Sequence, residues 1–316
     1  MSPGKKVSIV VPCFNEQGNV ENMAHALRAV MAKLPEYNHE ILFIDNDSAD
    51  DTPNILRRLA SEDKRIKVIL NNRNFGPERS LFHGLVASGG DAAIFLCCDF
   101  QEPPEMIVDF VREWENGAKV VWGQRIKTAG NPIMAMTRSL YYKLIRKFSS
   151  LPQYDNVIGF GLYDRLVLDE LKDMHDPAPF IRNMVPILGY VPVLLPYEQK
   201  ERASGKSSYN LFSYFNTALM GMVHTSKVPL KIAIWMGLAF SLFSFLVGMV
   251  YLVYKLVYWD SFSVGQAPLI IMVSMISSLQ LFFLGILGEY VLAIQDRVGF
   301  NDKYVIEKER INFEFD

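Results

Sequence analysis

Asp99 stands where the apolar run Ala93 to Cys98 stops, and Phe100, Gln101, Glu102 and two prolines follow it. A carboxylate and an amide oxygen two residues apart on an extended segment can face one site, and hard divalent cations prefer such oxygen ligands. The chemistry this suggests is metal-assisted handling of a phosphate. Two further segments have the same form, an apolar run that ends in polar groups. One is Val11, Pro12, Cys13, Phe14, Asn15, Glu16; the other runs from Ile44 through Asp45, Asn46, Asp47 and Ser48 to Thr52. In one parallel sheet all three ends would open onto the same crevice, where open α/β sheets bind ligands. Taken singly, these Asp, Asn and Ser residues also suit turns and helix caps.

The elements that must position them alternate. Strands are predicted at Val7 to Val11, Ile41 to Ile44, Ile66 to Leu70, Ala92 to Cys98 and Val120 to Trp122. Helices are predicted at Val20 to Leu34, Thr52 to Ser61, Glu78 to Ser88 and Pro104 to Asn116. Apolar strands separated by helices indicate a mostly parallel sheet with right-handed crossovers. Beyond Trp122 the pattern loosens into a loop at Thr128 to Pro132, a basic helix at Met134 to Ser149 and a polar stretch at Glu198 to Ser208. An amphipathic, aromatic-rich segment at Tyr209 to Val228 reads either as an interfacial helix or as an ordinary domain helix.

Of the 316 residues, 50% are hydrophobic and only 21% charged, and the apolar excess is localised. Ile232 to Tyr254 and Val264 to Gly288 carry no charge. As helices, each would exceed the roughly 30 Å of a bilayer core. Lys227 and Lys231 precede the first span, and Arg297, Lys303, Lys308 and Arg310 follow the second, which places both termini in the cytoplasm. The short N-terminal apolar run is not a secretory signal. A net charge of −2 gives no basic field for nucleic acid. Local basic clusters at Lys143, Arg146, Lys147 and at Lys200, Arg202, Lys206 suit anionic lipid, phosphate or a solvated helix face. Three cysteines without Cys-x-x-Cys spacing form neither a disulfide framework nor a zinc site, in keeping with a reducing compartment.

In order and spacing these segments resemble the inverting family 2 glycosyltransferases of GT-A fold, and among them the polyprenyl-phosphate glycosyltransferases. The resemblance runs through Arg73-Asn74-Phe75-Gly76, Gly123-Gln124-Arg125, Phe160 to Arg165, Phe180-Ile181-Arg182, Arg202 to Tyr209 and Gly285 to Tyr290. It implies a Rossmann-like, mostly parallel catalytic domain over 1–208, a juxtamembrane amphipathic region over 209–231, two transmembrane helices within 232–296 and a cytoplasmic tail over 297–316. It also puts Pro12, Phe14, Glu16, Asp45 and Asn46 around the nucleoside, and Asp99 and Gln101 on a Mg²⁺ or Mn²⁺ ion. Arg125, Arg202 and Lys206 become candidates for the donor pyrophosphate and the acceptor phosphate. The chain departs from the family pattern at Cys97, where many relatives have Asp, and at Asn46, Gly159 and Ser208. With no carboxylate at 159, Asp155 and Asp164 are the candidate bases.

The activity implied is inverting transfer of a hexose, glucose from UDP-glucose in the first instance, to undecaprenyl phosphate on the cytoplasmic face of a bacterial inner membrane. GDP-mannose and UDP-GlcNAc are alternative donors, and relatives of this kind commonly form homo-oligomers. A non-catalytic, membrane-anchored nucleotide-sugar binder is the other class. A processive polysaccharide synthase would carry a Q-x-x-R-W motif, which is absent.

Overall fold

The computed structural model describes residues 4–127, 152, 154–174, 176, 179–200, 266–298 and 305–313, with single helical positions between 235 and 257. The chain divides into two units. One comprises Met1–Tyr142, Leu151–Ser208 and Arg297–Asp316; the other comprises Lys143–Ser150 and Tyr209–Asp296.

The first unit is built on an eight-stranded sheet. In chain order its elements are β1 (Lys6–Cys13), α1 (Val20–Met31), β2 (Asn38–Asp45), α2 (Thr52–Glu62), β3 (Ile66–Asn71), α3 (Pro77–Ala87), β4 (Ala92–Phe95) and α4 (Met106–Glu115). There follow β5 (Val120–Lys127), β6 (Val157–Asp164), α5 (Arg165–Asp173), α6 (Ile181–Ile187), β7 (Val193–Glu198) and, from the end of the chain, β8 (Glu307–Ile311). The order across the sheet is β7-β5-β6-β4-β1-β2-β3-β8. β1 pairs in parallel with β2 and β4, β2 with β3, and β5 with β7, whereas β6 and β8 run against their neighbours. The expected mostly parallel α/β architecture is therefore present.

Apolar side chains cover both faces of the central strands. Val7, Ile9 and Val11 join one cluster with α1, α2 and α4, while Val10, Leu42 and Ile44 join another with α3, α5 and α6. Burial on both sides is why these strands read as continuous apolar runs rather than alternating ones. Gly84 lets α3 lie close on β1, since a Cβ there would come within 2.7 Å of Val10 Cγ1.

Three differences from the sequence reading bear on the site. β4 ends at Phe95, not Cys98: its pairing with β6 stops at Phe95 opposite Gly161, and Leu96 N–H bonds to Val10 of β1 (3.1 Å). β7 contains Pro196, which disguises it in the sequence; as an edge strand it needs no donor on its outer side. Residues 307–311, expected within a tail, form the other edge of the sheet. That strand is fastened by Arg57 to Glu309 (2.9 Å), by His83 to Glu307, and by Asn312 Nδ2, which donates to the carbonyls of Ala60 (2.6 Å) and Ile66 (2.8 Å).

Gln266–Val298 is one 33-residue helix, α7, whose residues up to Asp296 belong to the second unit. Counting only residues whose side chains are described, no helix is long and apolar enough to cross a membrane. The loop at Thr128 to Pro132, the helix at Met134 to Ser149, the amphipathic segment at Tyr209 to Val228 and most of the first span lie outside the described residues.

Candidate active site

Parallel pairing brings the first two chemical segments side by side. Cys13 is level with Asp45 in the β1–β2 register, and β4 follows on the other side of β1. The loops after β1 and β2 are stitched together by side chains. Asn15 adopts the left-handed conformation (φ 56°), which Asn tolerates better than most residues. Its N–H donates to Ser48 Oγ (2.8 Å), and its Oδ1 accepts from Ala49 N–H (2.9 Å). Glu16 N–H reaches Thr52 Oγ1 (2.9 Å), and Glu16 Oε2 accepts from Asn19 (2.6 Å). Phe14 is left with 43% of its surface exposed at this edge, an aromatic face available for stacking.

Asp45 and Asn46 are nearly fully buried and already committed to the scaffold. Asp45 accepts from both the N–H (3.1 Å) and the hydroxyl (2.5 Å) of Ser48; burial raises its pKa, and those two bonds oppose the rise. Asn46 Oδ1 accepts from Asn71 (3.1 Å) and Phe75 N–H (3.0 Å), while its Nδ2 donates to Asn74 Oδ1 (2.8 Å). Asn46 thus clamps the loop after β3 to the end of β2. Most of its polar capacity serves that clamp.

The third segment forms the acidic centre. Phe100 is held at φ 59°, unusual for a bulky residue and a form of strain that collects at functional sites. The kink separates Asp99 from Gln101 and lets Gln101 N–H donate to Asp99 Oδ1 (3.2 Å). Gln101 C=O accepts from Lys200 N–H (3.1 Å), which ties the exit of β7 to this loop. Asp99 is 6% exposed and Glu102 1%. Burial, then the neighbouring Asp99 charge, pushes Glu102 up to about 7, against the pull of Cys97 and Arg125. Burial raises the Cys97 thiol as well, so it stays protonated.

Arg125, near the end of β5, donates to Gln199 Oε1 (3.0 Å), and its Nε is buried without a partner among the described residues. Asp155 lies beside it at the start of β6, where its carbonyl accepts from Gln124 (3.1 Å) and the next carbonyl, Asn156, accepts from Arg125 N–H (3.2 Å). Asp164 does not belong here. It pairs with Ala92 at the start of β4, on the opposite edge of the sheet. There its carboxylate caps α5 through Leu166 N–H (3.1 Å) and accepts from Trp114 (2.7 Å) and Lys119 (3.2 Å). It is a structural residue, because the antiparallel β6 carries its last residue away from the crevice. Arg202 and Lys206 lie outside the described residues.

Sequence reasoning did not single out Glu78, Glu102, Tyr197 or Arg182 as site residues. Glu78, in the first turn of α3, is pushed up to about 7 by burial, moderated by the Arg182 guanidinium. Tyr197 O–H donates weakly to Glu102 Oε1 (3.5 Å). Glu102 and Arg182 lie inside recognisable motifs, whereas Glu78 resembles any acidic residue at a helix start.

Among the described residues no group of three His, Cys, Asp or Glu forms a metal cage. One or two carboxylates with an amide oxygen, completed by substrate phosphates and water, nevertheless suit Mg²⁺ or Mn²⁺. The buried Asp99, the neighbouring Gln101 and an unpartnered oxygen on Glu102 supply such a set.

The chain is 31% identical over 309 residues to the uncharacterized glycosyltransferase YkcC of Bacillus subtilis, covering 98% of this chain and 95% of that protein. It is 32% identical over 304 residues to the SfII prophage-derived bactoprenol glucosyl transferase of Shigella flexneri, covering 96% and 98% respectively. Among solved structures it is similar to the glucosyl-3-phosphoglycerate synthase of Mycobacterium tuberculosis in complex with Mn²⁺, UDP and phosphoglyceric acid. There the TM-score is 0.49 at 16% identity, with 70% of this chain and 77% of that one covered. Residues 8–172, which hold all three strand-end segments, match the family described as Glycosyl transferase family 2, and the chain, a glycosyltransferase, belongs to that family.

Proposed function

We propose that this enzyme transfers a hexose, glucose from UDP-glucose in the first instance, to a polyprenyl phosphate such as undecaprenyl phosphate, with inversion at the anomeric carbon. The observation that carries this reading is the convergence of Phe14, Asp45 and Asp99 on one sheet edge, with Arg125 beside the acidic centre. The bactoprenol glucosyl transferase relatives match over nearly their full length and supply the acceptor class.

Phe14, Pro12 and the β1–β2 loops would hold the nucleoside. Asp99 and Gln101 would hold Mg²⁺ or Mn²⁺, which when bound offsets the negative charge of the departing nucleoside diphosphate. Arg125 adds a guanidinium, a forked donor matched to phosphate oxygens, and Arg202 and Lys206 are assigned to the phosphates by family resemblance. The acceptor phosphate monoester, with a second pKa of about 6, is mostly dianionic near neutrality. It can attack without a strong base, so Asp155 serves to orient the acceptor rather than to deprotonate it.

We assign the protein to the bacterial inner membrane, its catalytic unit cytoplasmic and its two uncharged segments forming a membrane hairpin. Support comes from the chain leaving the first unit before Tyr209 and rejoining the same sheet as β8. An excursion that starts and ends in one domain crosses a bilayer an even number of times.

The activity is tested with purified protein in detergent, undecaprenyl phosphate, Mn²⁺ and radiolabelled UDP-glucose, with GDP-mannose and UDP-GlcNAc in parallel. Label should enter the organic phase only with the lipid present, and Asp99→Ala should lower the rate at least a hundredfold, the scale for losing transition-state charge stabilisation. Lipid labelling by another donor alone would reassign the sugar. No lipid labelling from any donor would defeat the reading.

A further inference from the structure

Glu102 is the most deeply buried carboxyl at the acidic centre, and its Oε2 has no hydrogen-bond partner among the described residues. The other oxygen has the long contact from Tyr197 O–H, at 3.5 Å, and the Cys97 thiol lies within reach of the same carboxyl. A buried acceptor left in this state is costly, so an idle oxygen at such a sheet edge asks for an occupant. Arg125 does not fill the role. Its Nη1 is engaged by Gln199, and its Nε is buried and unmatched too, so an acid and a guanidinium sit in one neighbourhood with unused atoms and no hydrogen bond between them.

The identity of the missing partner follows from the charges. Asp99 and Glu102 are both buried, three residues apart on one loop that folds back through the Gln101 N–H to Asp99 bond, and a cation relieves such a pair of carboxyls where a neutral hydroxyl does not. Between them in sequence is Gln101, a third oxygen donor. Cys97 offers sulfur, a soft ligand poorly matched to Mg²⁺ or Mn²⁺.

We propose that Glu102 supplies the second carboxylate of the divalent-cation site, alongside Asp99, and that Cys97 is not a ligand. This rests on the metal-dependent reading above and deepens it. The cation would take one oxygen from each side of the Phe100 kink, and the unmatched Arg125 Nε would be left to meet the diphosphate that arrives with it.

The test is Mn²⁺ affinity in the presence of UDP, read from the electron paramagnetic resonance signal of free Mn²⁺ with full-length protein in detergent. Glu102→Gln should weaken binding tenfold or more, at least the loss seen when even outer-shell partners of a metal are removed. Cys97→Ser should bind within about twofold of the wild type, the margin expected of a residue outside the coordination sphere. Asp99→Asn separates the two levels of the argument. If Asp99→Asn weakens Mn²⁺ while Glu102→Gln does not, the role of Glu102 is refuted and the general reading survives; if neither does, both fall. A measurement without mutation guards against misfolding. With ¹³C-glutamate-labelled wild-type protein and Mn²⁺·UDP, electron–nuclear double resonance should show a directly ligated glutamate carboxylate, and no such coupling would overturn the proposal.

Discussion

Asn46 shows what a single residue reveals before its surroundings are known. Family resemblance puts it around the nucleoside, and the structure holds it nearly fully buried just past the end of β2. That its carboxamide is consumed by Asn71, Asn74 and Phe75 could not be read, because those partners sit some 25 to 29 residues away and meet it only when β2 and β3 pair. Asp164 failed for the converse reason. Its motif was correct, but strand direction decides which edge a residue reaches, and nothing local in Val157–Asp164 announces that the strand runs backwards. Glu78 carries a measurable consequence. With a pKa raised from 4.5 to about 7, the folded protein holds a proton there that the unfolded chain has released. Stability from this group is therefore full below about 4.5 and declines as pH rises towards 7. Thermal midpoints of Glu78→Gln should fall less steeply between pH 5 and pH 7 than those of the wild type, by about the slope of one group. Parallel curves would show that Glu78 is ordinary.

Elements were legible in proportion to how evenly they are buried. Lys6–Cys13, Asn38–Asp45 and Ile66–Asn71 announce themselves because both faces are apolar and covered. Glu307–Ile311 does not, since its side chains alternate between half-buried and exposed and, apart from Ile311 against the core, it is held by ion pairs and one asparagine. The fastenings are unequal. Asn312 sits at φ 63° and satisfies two main-chain carbonyls, so Asn312→Ala should destabilise the catalytic unit by about 1–3 kcal/mol. The Arg57–Glu309 pair is 39% and 38% exposed, and Arg57→Ala should cost less than about 1 kcal/mol. Urea unfolding of the two variants distinguishes them; equal losses would mean that the ion pair carries more than its exposure permits.

For the molecule as a whole, composition separates a more charged part from an apolar one, and the structure divides into two compact units whose bounds are not those of composition. What composition could not show is that the last residues belong to the first unit. Because β8 lies in the catalytic sheet, reporter fusions at the N-terminus and after the last residue should both register on the cytoplasmic side of the membrane. Opposite signals would require an odd number of crossings and would break the hairpin proposal.

The same strand imposes an order on biogenesis. Arg57 and Glu309 are separated by 252 residues, so β3 leaves the ribosome long before the segment that will cover its flank exists. During that interval the rim of β3 presents bare amides and carbonyls, a template onto which other nascent chains can add. Maturation of the first unit is thereby coupled to synthesis of the second, and a polypeptide stalled between them would be prone to clump before it could work.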